Sequence, residues 1–211
     1  MGSDRVLGLF KFGSRADIER FVGGCLYMNT LGYYVEVEKN VARRDSREGQ
    51  AFWMQPDRVT FSIEIDENFV PISGLDGPIA YTNPLDLRVN VFCMYALRAS
   101  VARNLVDTRN LAFGDTFAVL KDGDEFLRRV RGAAERASLC LDWKLVEYVG
   151  EREHHGEMGI FRKSSEFSYQ SEFRIALLPG TGSPYPLEIG DMTDIAITGP
   201  LSDLNRSIKV D

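Results

Sequence analysis

Two residue types that carry much of enzyme chemistry are scarce here: the 211-residue chain holds two histidines and three cysteines. The histidines, His154 and His155, stand side by side in the polar run "GEREHHGE", which reads as an exposed turn. The cysteines, Cys25, Cys93 and Cys140, lie far apart and form no C-x-x-C, so nothing indicates zinc or another metal. Each sits in an apolar run ("GGCLYM", "VFCMYA", "SLCLDW"), the setting of a buried free thiol and of a reducing, cytoplasmic compartment. Neither G-x-x-x-x-G-K nor G-x-G-x-x-G nor G-x-S-x-G occurs, which argues against P-loop, Rossmann and nucleophile-elbow chemistry. Basic residues are in the minority, with 25 Lys and Arg against 31 Asp and Glu. The resulting net charge of −6 argues against broad nucleic-acid binding and suits docking on a basic partner, including by mimicry of a nucleic acid. No apolar run approaches the roughly 18 residues of a membrane span, and the N-terminus lacks the charged-then-apolar pattern of a signal peptide.

What is present reads as one α+β domain over residues 1–211, long enough to bury about 70% of its unfolded surface without staples. "RVLGLFKFG" predicts a largely buried strand. Ser14 then predicts an N-cap, with Asp17 completing the box, for a helix through Val22 that Gly23-Gly24 stops. "CLYMNT" predicts a strand, whereas "LGYYVEVEKN" fits helix or strand. In "RVTFSIEID", Val59, Phe61, Ile63 and Ile65 alternate with polar residues, predicting a half-buried strand. "PISGLDGPIAYTNPLD" reads as a loop. "LRVNVFCMY", "DTFAVLKD", "LDWKLVEYV" and "FSYQSEFRIALL" predict strands, and "PLEIGDMTDIAIT" one closing strand interrupted at Gly190. The best helix spans Asp124 to Ser138, capped by Asp122 or Asp124, with a stripe at Phe126, Leu127, Val130, Ala133 and Ala134. Consecutive strands with two to three helices predict a mainly antiparallel or split sheet.

Three polar stretches stand out. "RRDSREG" packs Arg43, Arg44, Asp45, Arg47 and Glu48 into seven residues, most simply a solvated loop. "KSS" places Lys163 and two hydroxyls just before the strand "FSYQSEFRI". With Arg44, Lys163 could hold a pyrophosphate by charge-assisted hydrogen bonds. Within a strand from Ser168, side chains alternate, so Ser168, Gln170, Glu172 and Arg174 would share one face. A solvated face with a surface Glu–Arg pair, worth about 0–1 kcal/mol, is the plain reading. A site wall is the other.

Gln170-x-Glu172 resembles the Q/E-x-E motif of ADP-ribosyltransferases, late in the chain after a loop. Glu36-x-Glu38 and Glu151-x-Glu153 fit the same pattern, and context favours Gln170-x-Glu172. That family's Ser-Thr-Ser motif and its early histidine with paired tyrosines are absent; Arg5 or Lys11 stands as the early cation, and Tyr27 or Asn29 in place of the middle motif. The resemblance implies NAD as substrate and Glu172 accepting from the ribose 2′-hydroxyl while stabilising an oxocarbenium ion. It also implies Gln170 orienting the acceptor and Tyr27 or Tyr95 stacking on nicotinamide. Lys11, Asn29, Arg44, Lys163 and Arg174 would complete the ligand site. "LFKFGS", "LYMNTLGYY", "RRDSREG", "VNVFCMY" and "FSYQSEFRI", in that order, also resemble an uncharacterised bacterial and phage protein family. That likeness implies a single domain whose polar stretches belong to one site.

Two readings follow. One is a mono-ADP-ribosyltransferase or NAD glycohydrolase. The other is a non-catalytic nucleotide- or protein-binding factor, of the phage or mobile-element inhibitor type, that presents an acidic surface to a host protein.

Overall fold

The computed structural model describes residues 4–36, 45, 47–100 and 106–207. Alternating runs separated by turn residues form β1 (Val6–Gly13), β2 (Cys25–Thr30), β3 (Gln50–Met54), β4 (Phe61–Ile65), β5 (Asn68–Ile72) and β6 (Ile79–Thr82). β7 (Asn90–Arg98), β8 (Thr116–Leu120), β9 (Leu141–Leu145), β10 (Glu147–Val149) and β11 (Gly156–Glu157) follow. β12 (Arg162–Ser164), β13 (Glu172–Leu177), β14 (Tyr185–Glu188) and β15 (Ala196–Pro200) complete the set. The helices are α1 (Arg15–Val22), α2 (Leu31–Glu36), α3 (Gly123–Arg136) and α4 (Leu204–Ser207). This is an α+β fold built mostly from antiparallel strands, and none of its described helices is long and apolar enough to cross a membrane.

The caps behave as their chemistry dictates. Ser14 accepts from the Asp17 backbone N–H at 3.2 Å and donates to its carboxylate at 2.6 Å. Asp122, one of the two caps offered by the sequence, accepts from the Glu125 N–H at 2.9 Å. Gly24 takes φ +101, and a Cβ there would lie 2.2 Å from the Gly190 carbonyl oxygen. That close approach holds the chain where the closing segment breaks, so it forms two strands: β14 pairs with β2, β15 with β8.

Eight strands make one sheet, centred on β7. One edge of β7 carries β13, from Asn90 to Tyr95, and β9 lies beyond it. The other edge carries β1 over Tyr95–Arg98 and β2 only at Asn90 and Val91. The sheet therefore forks, and on that second edge, between β1 and β2, no described strand pairs with the stretch of β7 around Cys93. The period-two alternation of β7 and β13 sorts the two faces. Phe92, Met94, Phe173 and Ile175 join Ile18 and Phe21 of α1 and Phe126 and Val130 of α3 in the main core. Glu172, Arg174, Cys93 and Tyr95 take the alternate positions.

Several expectations change. "LGYYVE" becomes α2, because Leu31 is fully buried against Val89 and Val91. The run from Pro71 to Asp86, expected to be one loop, contains the end of β5, all of β6 and the start of a 3-10 turn at Asp86–Arg88. "RVTFSIEID" yields β4, but it is not half-buried: Ile63 and Ile65 are 52% and 53% exposed. Of the thiols, Cys140 is exposed and Cys25 and Cys93 are only partly covered. The histidine loop is pinned rather than free. The Gln55 amide donates to the Glu151 and His154 carbonyls at 2.7 Å each, and the Gln55 N–H to His155 Nδ1 at 3.1 Å.

Candidate functional site

The segment "FSYQSEFRI" does not run as one strand. Ser165–Gln170 forms a 3-10 turn and Ser171 takes a left-handed conformation at φ +40, so β13 begins at Glu172. A left-handed non-glycine residue costs about 1–2 kcal/mol. Two bonds to β7 offset it: the Ser171 hydroxyl donates to the Ala96 carbonyl, and the Ala96 N–H to the Ser171 carbonyl, both at 2.7 Å. Ser168 is left exposed on the turn. Gln170, Glu172 and Arg174 nevertheless converge, because Lys163 of β12 reaches across to Gln170 and Glu172, and Arg174 meets Glu172 in turn.

The result is a closed ring of alternating charge. Lys163 Nζ lies 2.9 Å from Glu172 Oε1 and 3.1 Å from Glu48 Oε2. Arg174 Nη2 lies 2.8 Å from Glu172 Oε2, and Arg174 Nη1 2.7 Å from Glu48 Oε1. Lys163 also donates to Gln170 Oε1 at 2.8 Å, and Arg174 to the Ile160 carbonyl. Arg174 is 1% exposed, Lys163 4%, Glu48 6% and Glu172 8%. The plain reading of Glu172 and Arg174 as a solvated surface pair is therefore overturned. Buried ions are tolerated only when paired and hydrogen-bonded on every side, and here each faces two of opposite sign. One donor stands outside this pattern: Arg174 Nε is buried with no hydrogen-bond partner among the described residues.

Burial alone would push the Glu172 carboxyl up, but Lys163 and Arg174 outweigh it and hold it well below the usual carboxylate range. Glu48 is likewise lowered, burial being outweighed by Arg174 and then Lys163. Burial would lower the Lys163 ammonium, yet Glu172 and Glu48 keep it well above its ordinary value. Asp45 differs. It lies 3.9 Å from Lys163 Nζ, and burial followed by repulsion from Glu48 pushes its carboxyl up to about 6. With Asp45 protonated the cluster is balanced at two charges of each sign.

Above the ring, a cavity of about 100 Å³ opens to solvent. Phe10, Phe12, Tyr34, Tyr95 and Phe113 wall it, and Gln170 and the ring form its polar side. The cavity lies at the fork of the sheet. There Lys11 Nζ donates to the Cys93 carbonyl at 2.7 Å, filling a place that a neighbouring strand would take, and sits 4.2 Å over the Phe92 ring. A groove of about 260 Å³ adjoins, sharing Lys11, Phe12 and Tyr34 and carrying Tyr27 and Asn29 on β2. Cys93 borders the cavity as a thiol, since burial and then Glu172 push its pKa up to about 12.

Of the candidate residues, Glu172, Gln170, Lys163, Arg174, Lys11 and Tyr95 line the cavity, and Tyr27 and Asn29 the adjoining groove. Arg44 lies outside the described residues. Its segment does reach the site, but through its acids: Glu48 closes the ring and Asp45 flanks it. Sequence reasoning missed Glu48, and it missed Tyr148, whose hydroxyl accepts from the Glu172 N–H at 2.9 Å. The only available signal was the placement of Glu48 in a charge-dense run before Gly49. Comparison with protein-family models, with curated proteins and with solved structures finds no match to this chain.

The arrangement offers a fixed anionic carboxylate, a buried amide and two cations beside a flat-sided aromatic space. Such a site recognises a planar ring with a polar edge. A cavity known to take a benzene ring measures about 150 Å³, so this one of about 100 Å³ encloses only part of a ring, and the remainder would extend through its open side.

Proposed function

We propose that the cleft at the sheet fork binds a nicotinamide dinucleotide, and that the chain breaks its N-glycosidic bond as a mono-ADP-ribosyltransferase or NAD glycohydrolase. The observation that carries this reading is Glu172, kept ionised by Lys163 and Arg174 at the side of an aromatic-walled cavity. As nicotinamide leaves, positive charge develops at the ribose C1′. A carboxylate already oriented and already charged stabilises that charge without reorganising. Among the described residues each Glu172 oxygen has one partner, and an ionised carboxylate has about four lone-pair sites, which leaves capacity for a ribose hydroxyl. Tyr34 and Tyr95 offer ring faces for nicotinamide, and Lys11 a cation between cavity and groove.

A specific observation favours the second reading, a nucleotide-binding factor without turnover. Lys163 donates to Glu172, Gln170 and Glu48, and both Glu172 oxygens face cations of the ring, so the charges serve each other first. One experiment separates the readings. Titrate NAD into the protein by calorimetry and follow nicotinamide release by chromatography, with wild type, Tyr34→Ala and Glu172→Gln kept below their melting temperatures. The enzyme reading expects binding, release, and a fall of about 10²–10³ in rate for Glu172→Gln. Binding without release leaves the second reading, and absence of both overturns the nucleotide assignment.

A further inference from the structure

Outside the lining of the cavity and groove, the chain between Met54 and Ile79 joins two paired strands, β3 and β6, and carries a hairpin of its own, β4–β5. Its register sets Phe61 opposite Ile72 and Ile63 opposite Val70, so these four and Ile65 form one apolar face. That face is uncovered. Every residue from Ser62 to Asp76 is exposed. β4 and β5 pair only with each other among the described residues, which leaves two open edges. A two-stranded hairpin alone is marginal in water, and an apolar face beside open backbone edges is what strand addition uses.

Charge decides the occupant. From Val59 to Leu87 the sequence has no Lys or Arg, while Glu64, Asp66, Glu67, Asp76 and Asp86 all fall within it. Asp76 meets Arg152 at 3.4 Å on the surface; no such pair forms at Glu64, Asp66 or Glu67 among the described residues. A second copy of the chain would bring the same carboxylates against these, and like charges across an interface oppose association. A basic chain meets both demands at once.

We propose that β4–β5 is a docking arm for a basic protein, which adds a strand at its edge. The added strand alternates apolar residues against Ile63, Ile65 and Val70 with cationic ones beside Glu64, Asp66 and Glu67. This holds whether or not the cleft turns over NAD, because no residue of the arm lines the cleft.

The probe is a fluorescent peptide of about ten residues alternating lysine and valine, long enough to span one strand. Peptides of the same length alternating glutamate with valine, and lysine with serine, serve as controls. Anisotropy titrations should show the lysine–valine peptide binding at least about tenfold tighter than either control. Its affinity should fall as salt rises from about 50 to about 300 mM. Ile63→Ser with Val70→Ser, and separately Glu64→Lys with Glu67→Lys, should each weaken it about tenfold while the melting temperature holds. Equal binding of the lysine–serine peptide would reduce the arm to a non-specific acidic surface and overturn the proposal. So would no binding of the lysine–valine peptide, or a concentration-dependent dimer abolished by Ile63→Ser with Val70→Ser.

Discussion

β13 and the β4–β5 hairpin are short strands with the same alternation of polar and apolar residues, and they meet opposite surroundings. On β13 the polar members Glu172 and Arg174 are buried in a closed ring, while Phe173 and Ile175 fill the helix-side core. On β4 the apolar members Ile63 and Ile65 face solvent. Alternation says which residues share a face. What that face meets depends on what other parts of the chain bring to it. β13 is covered because Lys163 and Glu48 arrive with charges that match it. β4 is bare because its hairpin pairs with no other strand among the described residues.

The largest expected effect tests the buried side of that contrast. Arg174→Met leaves Glu172 and Glu48 facing only Lys163 in a dry setting, and denaturant unfolding should show a loss of about 3–5 kcal/mol. Glu172→Gln should also destabilise well beyond a surface substitution, by about 2–4 kcal/mol, since it leaves Lys163 and Arg174 to share Glu48. A loss under about 1 kcal/mol for Arg174→Met would return the pair to the surface class.

Coupling within the ring comes next. Glu172→Leu combined with Lys163→Met removes one charge of each sign and should cost less than the sum of the singles, by about 0.5–3 kcal/mol in a double-mutant cycle. Additive losses would mean that the ring is not one network.

Asp45 gives a smaller and pH-dependent effect. Its folded pKa, pushed up to about 6, exceeds its ordinary value of 3.8, so the folded state binds the proton more tightly. Its contribution favours folding at low pH and is lost as pH rises from about 4 through about 6. Asp45→Asn removes that loss while its amide oxygen can still accept the Arg47 N–H that Asp45 holds at 2.8 Å. Melts at pH 8 should show the variant more stable by about 1–3 kcal/mol, with the gain vanishing near pH 4. Equal pH profiles for the two proteins would place Asp45 outside the cluster's electrostatics.

The smallest effect belongs to the arm. Ile63→Ser should change stability by no more than about 0.5 kcal/mol, because half of the side chain is already in water. A larger loss would mean that the hairpin packs onto the body in solution.

The elements with local signals were legible from the sequence: one of the two caps offered for α3 and the Ser14 cap, the stripe at Phe126, Val130, Ala133 and Ala134, β7 by its apolar alternation, and β1, β2 and β8 as strands. The common face of Glu172 and Arg174 on β13 was legible too, whereas Gln170 joins them from the 3-10 turn and Lys163 from β12. The turn at Ser171 was not, because its left-handed backbone is held by Ala96, which is 75 residues away. Nor was the role of Glu48, which meets Arg174 across 126 residues.

By itself the sequence determined an α+β chain with mostly antiparallel strands, and it determined which residues alternate on them. Tertiary structure alone decided that β1 and β2 part beside β7, opening the cleft where Lys11 caps Cys93. It also decided that the charged residues lie inside and an apolar hairpin outside. The reason is physical: burial of a charge depends on partners of opposite sign arriving from distant segments, and no local pattern of residues records whether they arrive.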